Sequence, residues 1–299
     1  MTPGSAKEIS VVWTRGSGCA ELADLLTPGE PTRIGGDVVE ECIAHRADLL
    51  VSRRLSGSFD LLNVAVPVDF EPENVTKVVS TVAGGPHSVL AAETASALGR
   101  GLGVQAEMVS ASRPGADRLE AEEILDRIGL VVPELDSRVV EVEGIGELVE
   151  ELDEGALLVI GAPGGSWLKR ARFGPGARLK SKAQACAVVV RMAPERVFQR
   201  MGEPVFVGPL RNADDTLRMH GQNVLAVANE GLLVGLVRRE HLLHAGDAVV
   251  GTVMEEAVSA KVDETVSEAR ELEGTFGADP IPVTDHDEHL VGALSLPVA

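Results

Sequence analysis

The chain has 299 residues and carries 27 Lys and Arg against 46 Asp and Glu, a net charge of −19. The length predicts two domains or three small ones, the acidic balance argues against a nucleic-acid-binding protein, and 44% hydrophobic residues argue against disorder throughout. The three cysteines form no C-x-x-C pair, so neither a disulfide framework nor a zinc knuckle is indicated. No signal peptide or membrane span is recognisable, which predicts a soluble cytoplasmic protein.

Short apolar runs alternate with helical patterns up to Met192, which predicts an α/β fold with a mostly parallel sheet. Helical periodicity covers 87–102, 117–129 and 144–153. The pattern changes after Met192, and the two prolines and several charges of 193–204 predict a linker. The predicted strands are 9–13, 48–52, 64–68, 77–82, 104–109, 139–142, 157–161 and 187–191.

An internal repeat is visible within the first 192 residues. Residues 47–59 align with 155–167 at an offset of 108, and residues 11–14 align with 78–81 at an offset of 67. The different offsets predict that the first copy lacks about one strand–helix unit, so that 1–74 is a degenerate half repeat of the domain 75–192. A chance resemblance between short apolar runs is the alternative.

One segment stands out by its charge. Residues 155–194 contain no Asp or Glu, and seven basic residues lie there: Lys169, Arg170, Arg172, Arg178, Lys180, Lys182 and Arg191. A predicted strand leads into the glycine-rich turn 161–166, and such a turn can present backbone N–H groups to an anion. The segment therefore predicts a phosphate-binding loop. A loop rich in turn glycines beside a solvated basic helix face is the structural alternative.

The spacing Gly161-x2-Gly164-x9-Gly174 resembles the universal stress protein family. The strand and turn starting at Lys77 and the closing strand 186–191 are similar to that family as well. The resemblance covers 75–192 and, faintly, 7–70. It implies a flavodoxin-like (HUP-type) parallel sheet with ATP or AMP bound at the strand ends. The candidate nucleotide contacts that it implies are Gly161, Gly164, Gly174, Gly176, Ala83 and Gly84.

Two positions depart from the family pattern. Ala83 replaces the Asp that binding members carry near the adenine, and Pro175 replaces the phosphate-contacting Ser or Thr. Proline has neither a hydroxyl nor a backbone N–H, so both departures remove hydrogen bonds to a nucleotide. The first copy keeps no counterpart of Gly174, which predicts that it binds no nucleotide.

The C-terminal region contains two similar units, predicted at 204–247 and 248–299. Each has a helix followed by two strands, and the runs 253–256, 263–266 and 281–295 resemble a pair of cystathionine-beta-synthase-type (CBS) domains. Such pairs form an α/β module that often senses adenosyl ligands. Ser295 matches the hydroxyl position of the family's binding motif, whereas both of its Asp positions are lost. A structural or dimerising role is therefore an equal alternative.

These features predict a non-catalytic stress-response or regulatory protein that binds an adenine nucleotide and no metal. The acidic and histidine residues of 285–289 are read as a turn, and no Ser-His-Asp or nucleophile-elbow pattern occurs. A slow ATP hydrolase or nucleotidyl transferase and a ligand-free protein-interaction scaffold are the alternatives. The chain is predicted to form a homodimer or an intramolecular pseudo-dimer. In the pseudo-dimer, 64–68 pairs with 187–191 within one molecule.

Overall fold

The computed structural model describes residues 9–54, 61–114, 118–143, 145–152, 155–162 and 186–296, and the chain divides between Ala193 and Pro194 into two units. In these ranges, no helix has the length and apolar character needed to cross a bilayer. The division falls at the change of pattern seen in the sequence. The finer boundaries predicted at 74 and 247 stay predictions.

The described part of the first unit is built on one sheet of nine strands in the order β2-β1-β3-β4-β9-β8-β5-β6-β7. Every neighbouring pair is parallel except β4 and β9, which are antiparallel. The strands are β1 (Val11–Trp13), β2 (Thr32–Arg33), β3 (Leu49–Val51), β4 (Asn63–Val68), β5 (Lys77–Thr81), β6 (Gln105–Ser112), β7 (Asp136–Glu141), β8 (Ala156–Gly161) and β9 (Ala187–Arg191).

Helices cover the sheet because its central strands are apolar on both faces. The helices are α1 (Cys19–Leu26), α2 (Val38–Ala44), α3 (His87–Leu102), α4 (Arg118–Gly129) and α5 (Ile145–Glu150), with a 3₁₀ turn at Pro72–Asn74. Asp37 caps α2 by accepting hydrogen bonds from the backbone N–H groups of Val39 and Glu40. Gly103 ends α3 in a left-handed conformation, with φ 69°. The main apolar core joins α1 and α3 to β1, β3, β5, β8 and β9.

The register of the sheet agrees with the repeat offsets. Val11 of β1 pairs with Leu49 of β3, and Val78 of β5 pairs with Leu157 of β8. These two pairs are related by the sequence offsets of 67 and 108, so the paired residues correspond to each other. The first copy has no counterpart of β7 between its strands, which accounts for the difference between the offsets.

The predicted pairing of 64–68 with 187–191 is confirmed, and it forms the seam between the two copies. Val66 of β4 lies opposite Val189 of β9, while Ala65 pairs with Val190. The two strands follow equivalent neighbours β3 and β8, and Val66 and Val189 are equivalent residues of the two copies. An internal two-fold axis therefore passes through this pair, as it would in a symmetric dimer interface.

The second copy contributes β5 to β9 in the order 3-2-1-4-5, counted along the chain. This is the order of the first five strands of the dinucleotide-binding sheet, 3-2-1-4-5-6, and differs from the 2-1-3-4-5 order of flavodoxin. The sheet is therefore doubly wound and parallel, as predicted, while the specific flavodoxin-like assignment is not confirmed. All eight predicted strands are present, and the two-residue strand β2 was missed because it is short and polar.

One buried carboxylate joins β5, β6 and β7. Glu107 of β6 has a side chain that is only 8% exposed, and it lies 2.9 Å from Nζ of Lys77 and 3.2 Å from a guanidinium nitrogen of Arg138. These two cations belong to β5 and β7, on either side of β6. A buried carboxylate needs such partners, because it is costly to remove from water unpaired. The three strands are thereby held in register.

The second unit consists of two similar three-stranded sheets. In each sheet a short strand runs parallel to the middle strand, which pairs antiparallel with the third. The strands are β10 (Phe206–Val207), β11 (Val224–Asn229), β12 (Leu232–Arg238), β13 (Ala260–Lys261), β14 (Ile281–Thr284) and β15 (Leu290–Leu294). The helices are α6 (Val197–Arg200), α7 (Ala213–Met219), α8 (Arg239–Ala245), α9 (Val266–Ala269) and α10 (Glu273–Phe276), with 3₁₀ turns at Val250–Thr252 and Arg270–Leu272.

A second internal two-fold axis relates the two sheets of this unit. Leu233 N–H donates to the carbonyl of Glu288, and Leu290 N–H donates to the carbonyl of Gly231. Leu232 and His289 lie opposite each other between these bonds. The contact is reciprocal, so the two hairpins are equivalent, as the repeated Leu-Val-Gly pattern predicted.

The linker predicted over 193–204 is instead part of the second unit. Val197 and Phe198 are fully buried, and Gly202 forms two backbone hydrogen bonds with Ala293 of β15. The segment 249–255 makes the equivalent contact, because Glu255 forms two backbone bonds with Leu236 of β12. The prolines at 194 and 204 flank this segment and were misinterpreted as linker signals.

Candidate functional site

The carboxyl ends of four parallel strands meet at one edge of the sheet in the second copy. After β5 the chain passes through α3 to β6, which lies on one side of β5. The strands β8 and β9 lie on the other side of β5. Open α/β sheets bind ligands outside the carboxyl ends of their strands at such a reversal of strand order. A ligand site is therefore expected at this edge.

A cavity of about 670 Å³ opens at this edge. Its volume lies in the range that holds a drug-sized ligand or a cofactor. Apolar side chains supply most of the lining, and the polar lining comes from the strand ends and the start of α3. The lining residues are Thr81, Val82, Ala83, Gly85, Pro86, His87, Ser88, Val109, Ala111, Ser112, Arg113, Val142, Glu143, Leu148, Ile160, Gly161 and Ala162.

Ser112 gives the cavity an unused polar group. It ends β6, its side chain is buried, and its hydroxyl has no hydrogen-bond partner among the described residues. A buried hydroxyl without a partner costs free energy, since its bonds to water are lost and not replaced. A ligand that hydrogen-bonds to Ser112 Oγ would recover that loss.

The N-terminal end of α3 borders the same cavity. The helix is 16 residues long and begins at His87 after the turn 84–86. Ser88 Oγ accepts a hydrogen bond from the N–H of Ala83 at 3.2 Å, which fixes the strand end to the first helical turn. The start of a helix carries partial positive charge and unpaired N–H groups, and both favour an anionic ligand.

His87 is held in one tautomer. The N–H of Met192 donates to Nδ1 of His87 at 3.0 Å, so the ring proton of the neutral imidazole is on Nε2. Burial lowers the pKa of His87, and the charge of Arg191 lowers this pKa further. At neutral pH the imidazole is therefore uncharged and offers a donor at Nε2.

We expect His87 to make the stability of the first unit depend on pH. Its folded-state pKa is lowered, so the unfolded chain binds more protons below about pH 6.5, and the free energy of unfolding falls as pH falls through that region. Urea unfolding between pH 5 and 8 should show this slope in the wild type. The His87→Asn variant, which cannot titrate there, should show a smaller one, and equal slopes would contradict the assignment.

The candidate nucleotide contacts do not all fall at the cavity. Ala83 and Gly161 line it, whereas Gly84, in the left-handed region at φ 73°, packs beneath Ile124 and is not among the lining residues. A Cβ at Gly161 would lie 2.9 Å from Cβ of His87, so glycine is required there by the close packing of α3. Gly164, Gly174 and Gly176 lie outside the described residues.

Three polar residues of the cavity escaped the sequence analysis: Ser112, His87 and Arg113. The predicted strand ended at Val109, three residues before the real end of β6, and this placed Ser112 outside the strand. The alternation of Ser110, Ala111 and Ser112 after an apolar run was the available signal, because a strand end that changes to small polar residues is typical of a lined cavity.

In the second unit, the CBS resemblance assigns ligand binding to positions at and after the end of the last strand of each sheet, and those of the first sheet hold side chains engaged elsewhere. Ser295 is exposed just after β15. In the first sheet, Arg238 occupies the hydroxyl position and donates to the Glu255 carboxylate at 3.0 and 3.2 Å. His241 occupies the lost Asp position, and its Nδ1 lies 3.4 Å from the same carboxylate.

The polar run 285–289 is a hairpin turn, as its composition predicted. Asp285 Oδ1 accepts hydrogen bonds from the N–H groups of Asp287 and His289, and Glu288 pairs with Lys261 at 2.6 Å. Across the described ranges, no group of three or more His, Cys, Asp and Glu side chains is arranged to hold a metal ion. The turn's carboxylates thus serve backbone and lysine donors.

No protein-family model matches the chain, and no curated protein is similar to it. Similar solved structures include the cytosolic domain of the Mg²⁺ channel MgtE in complex with ATP, at 22% identity and a TM-score of 0.31 over 34% of this chain and 46% of that one. A CBS domain pair/ACT domain protein of Thermotoga maritima is 21% identical, with a TM-score of 0.31, over 34% of this chain and 89% of that one.

CBSX2 in complex with AMP is 23% identical, with a TM-score of 0.31, over 34% of this chain and 90% of that one. This chain thus spans less than half of the MgtE domain, and about a third of its own length is matched in each case. The named solved structures that are similar to this chain contain CBS-domain pairs or are cytosolic transporter parts.

Proposed function

We propose that this protein is a non-catalytic regulatory protein whose first unit binds an adenine nucleotide in the cavity at the carboxyl edge of β5, β6, β7 and β8. The observation that carries the proposal is the cavity itself, with the unpartnered hydroxyl of Ser112 and the first turn of a 16-residue helix at its border. An apolar wall suits an adenine ring, and the helix start suits phosphate.

Charge supports the same ligand. The sequence that follows β8 is the acid-free segment with Lys169, Arg170, Arg172, Arg178, Lys180 and Lys182, in a chain of net charge −19. The glycine spacing of this segment resembles that of the ATP-binding universal stress proteins. Loss of the family's Asp at Ala83 and of its hydroxyl at Pro175 leads us to expect weaker binding than in a member that retains both.

We propose further that the second unit is a CBS-like pair with a structural role. Its support is the two-fold relation of the two sheets and the exchange of the segments 196–202 and 249–255 between them. In the first sheet, the Glu255 carboxylate accepts hydrogen bonds from Arg238 and neutralises its charge, so this arginine is already engaged. We expect this unit to contribute little to nucleotide affinity.

Isothermal titration with ATP, ADP and AMP tests the cavity. We expect micromolar to submillimolar binding to the wild type, and at least a tenfold loss in Ala111→Trp, because Ala111 is exposed at the cavity and its replacement by indole fills the space. Ser112→Ala removes one hydrogen bond and should weaken binding about threefold to tenfold. Gly164→Asp should weaken nucleotide binding, because the added carboxylate repels the phosphate groups.

Leu130→Trp is the matched control, because Leu130 is 84% exposed and does not line the cavity. Unchanged affinity in Ala111→Trp would refute the cavity as the site. Release of phosphate or pyrophosphate at a rate that falls in Ala111→Trp would favour the hydrolase or transferase alternative. Absence of binding at millimolar nucleotide would favour the scaffold.

A further inference from the structure

Three neighbouring parallel strands of the first copy end at the same level of the sheet. Trp13, the last residue of β1, pairs with Arg33 of β2 and with Val51 of β3. Arg15 follows β1 by two residues, and Arg53 and Arg54 follow β3 by two and three. The register thus gathers four arginines, Arg15, Arg33, Arg53 and Arg54, which we call the arginine edge.

The arginine edge carries uncompensated charge. All four side chains are exposed, and within the described ranges none of them makes an ion pair with a carboxylate. Many other arginines of this acidic chain do have such a partner, as Arg100 has in Glu134 and Arg218 has in Asp215. The guanidinium of Arg33 lies 5.7 Å from the centroid of the Trp13 ring, a cation–π contact that leaves its positive charge in place. Four guanidinium groups without a carboxylate partner at one edge repel one another unless an anion lies between them.

Arg53 is positioned by packing. A Cβ on Gly16 would lie 2.3 Å from Cγ and Cδ of Arg53, and 3.1 Å from Sγ of Cys19, so the stem of Arg53 crosses the glycine beside the start of α1. Burial raises the pKa of the Cys19 thiol, and the charge of Arg53 opposes that rise. The guanidinium of Arg53 therefore lies close to the first turn of α1.

The two copies differ at this place in an informative way. Arg53 is the repeat equivalent of Gly161, and Gly16 is the equivalent of Ala83, by the offsets of 108 and 67. Where the second copy has an open cavity beside Gly161, the first copy has the Arg53 side chain. At this position the first copy thus presents a cationic side chain on the surface.

We propose that the arginine edge is an anion-binding site for a phosphate-bearing ligand, separate from the cavity of the second copy. Guanidinium groups bind phosphate oxygens through paired N–H donors, and the N-terminal N–H groups of α1 add to the field. The ligand's source is either a free phosphate or diphosphate or the phosphate chain of a nucleotide. The proposal does not depend on the proposed function of the cavity.

Titration of the full chain with pyrophosphate at low salt tests this site. We expect saturable binding that weakens as salt rises, at least a tenfold loss in the Arg53→Gln/Arg54→Gln double variant, and no change in Arg127→Gln, which removes one exposed arginine charge from α4. The Ala111→Trp variant, which blocks the cavity, should bind pyrophosphate as the wild type does. Loss of nucleotide binding in Ala111→Trp therefore concerns the cavity alone, and loss of pyrophosphate binding in the Arg53→Gln/Arg54→Gln variant concerns the arginine edge alone.

Gly16→Val provides a test that conserves every charge. Gly16 has no left-handed backbone requirement, and the added side chain displaces Arg53, so pyrophosphate affinity should fall severalfold. In the Ala111→Trp background, equal affinities for pyrophosphate and ATP identify phosphate alone as the recognised group, and a much tighter ATP identifies a nucleotide. Equal pyrophosphate binding by wild type and double variant, or an equal loss in Arg127→Gln, would overturn the proposal.

Discussion

Replacing Val190 by Asp is expected to unfold the first unit. Val190 is fully buried in β9, where it lies opposite Ala65 across the seam and beside Gly161 of β8. Its carbonyl also accepts a hydrogen bond from the N–H of Ala162 at 2.6 Å. A carboxylate at this point would be removed from water inside the main apolar core of the first unit.

The expected loss is at least about 4 kcal/mol, since an unpaired buried charge costs several kcal/mol and the valine contacts are lost as well. This is comparable to the whole stability of an ordinary domain, about 5–15 kcal/mol. Because β9 joins the two copies, we expect both to lose structure together. Far-UV circular dichroism in urea measures the change as a lower midpoint or as an unfolded spectrum in water.

Val131→Asp is the control for this variant. Val131 is 53% exposed after α4, so the same substitution should change the free energy of unfolding by at most about 0.5 kcal/mol. Val190→Ala, which adds no charge, should lose about 1–3 kcal/mol and gives a measurable value if the Asp variant does not fold. A Val190→Asp protein with the midpoint of the wild type would show that the seam is not a structural element of the fold.

Gly235→Ala is expected to cause the largest loss of stability in the second unit. A Cβ at this position of β12 would lie 2.6 Å from the backbone carbonyl oxygen of Glu255 and 3.0 Å from Sδ of Met254. The methionine can move, but the carbonyl belongs to the backbone that pairs with Leu236. Relief of the clash therefore requires breaking that pairing.

We expect a loss of about 2–4 kcal/mol, as for other overpacked positions where backbone must shift. Thermal unfolding followed by circular dichroism measures it as a lower transition temperature. Gly208→Ala is the matched control, because nothing lies within 4 Å of a Cβ there and its backbone is not left-handed. Equal transition temperatures in the two variants would show that the segment 249–255 is not tightly bound to β12.

The predictability of the fold varied with the length and polarity of each segment. Long periodic segments such as α3 were predicted to the residue, and the apolar strands β5, β8 and β9 within one residue at each end. The strand β2 was missed, and 193–204 was misread, because two prolines and charges signal a linker only when the residues between them are exposed. Val197 and Phe198 are buried, which the local pattern does not reveal.

The repeat within the second unit extends into the segment 193–204. Val197 and Met201 are separated as Val250 and Met254 are, at an offset of 53 residues. In the structure, Sδ of Met201 and Sδ of Met254 lie against Gly292 and Gly235 respectively, so the two methionines play the same part. The second unit's repeat therefore begins before Pro204.

The candidate site was predictable only in its location. Parallel strands followed by a glycine-rich turn place a ligand edge at the end of β8, and Gly161 and Ala83 lie there. The tautomer of His87 depends on Met192, a residue 105 positions away in the chain. Such contacts have no signature in a local window of sequence.

Sequence alone predicted the α/β class, the repeat within the first unit and the strand edge at which a ligand is expected, because apolar periodicity and repeat offsets can be read from the chain itself. Only the tertiary structure decided the register in which β4 and β9 pair, the packing of Arg53 over Gly16, and the hydrogen bonds from Arg238 to Glu255. Those outcomes depend on side chains brought together from distant segments, where packing and charge pairing act across space and not along the chain.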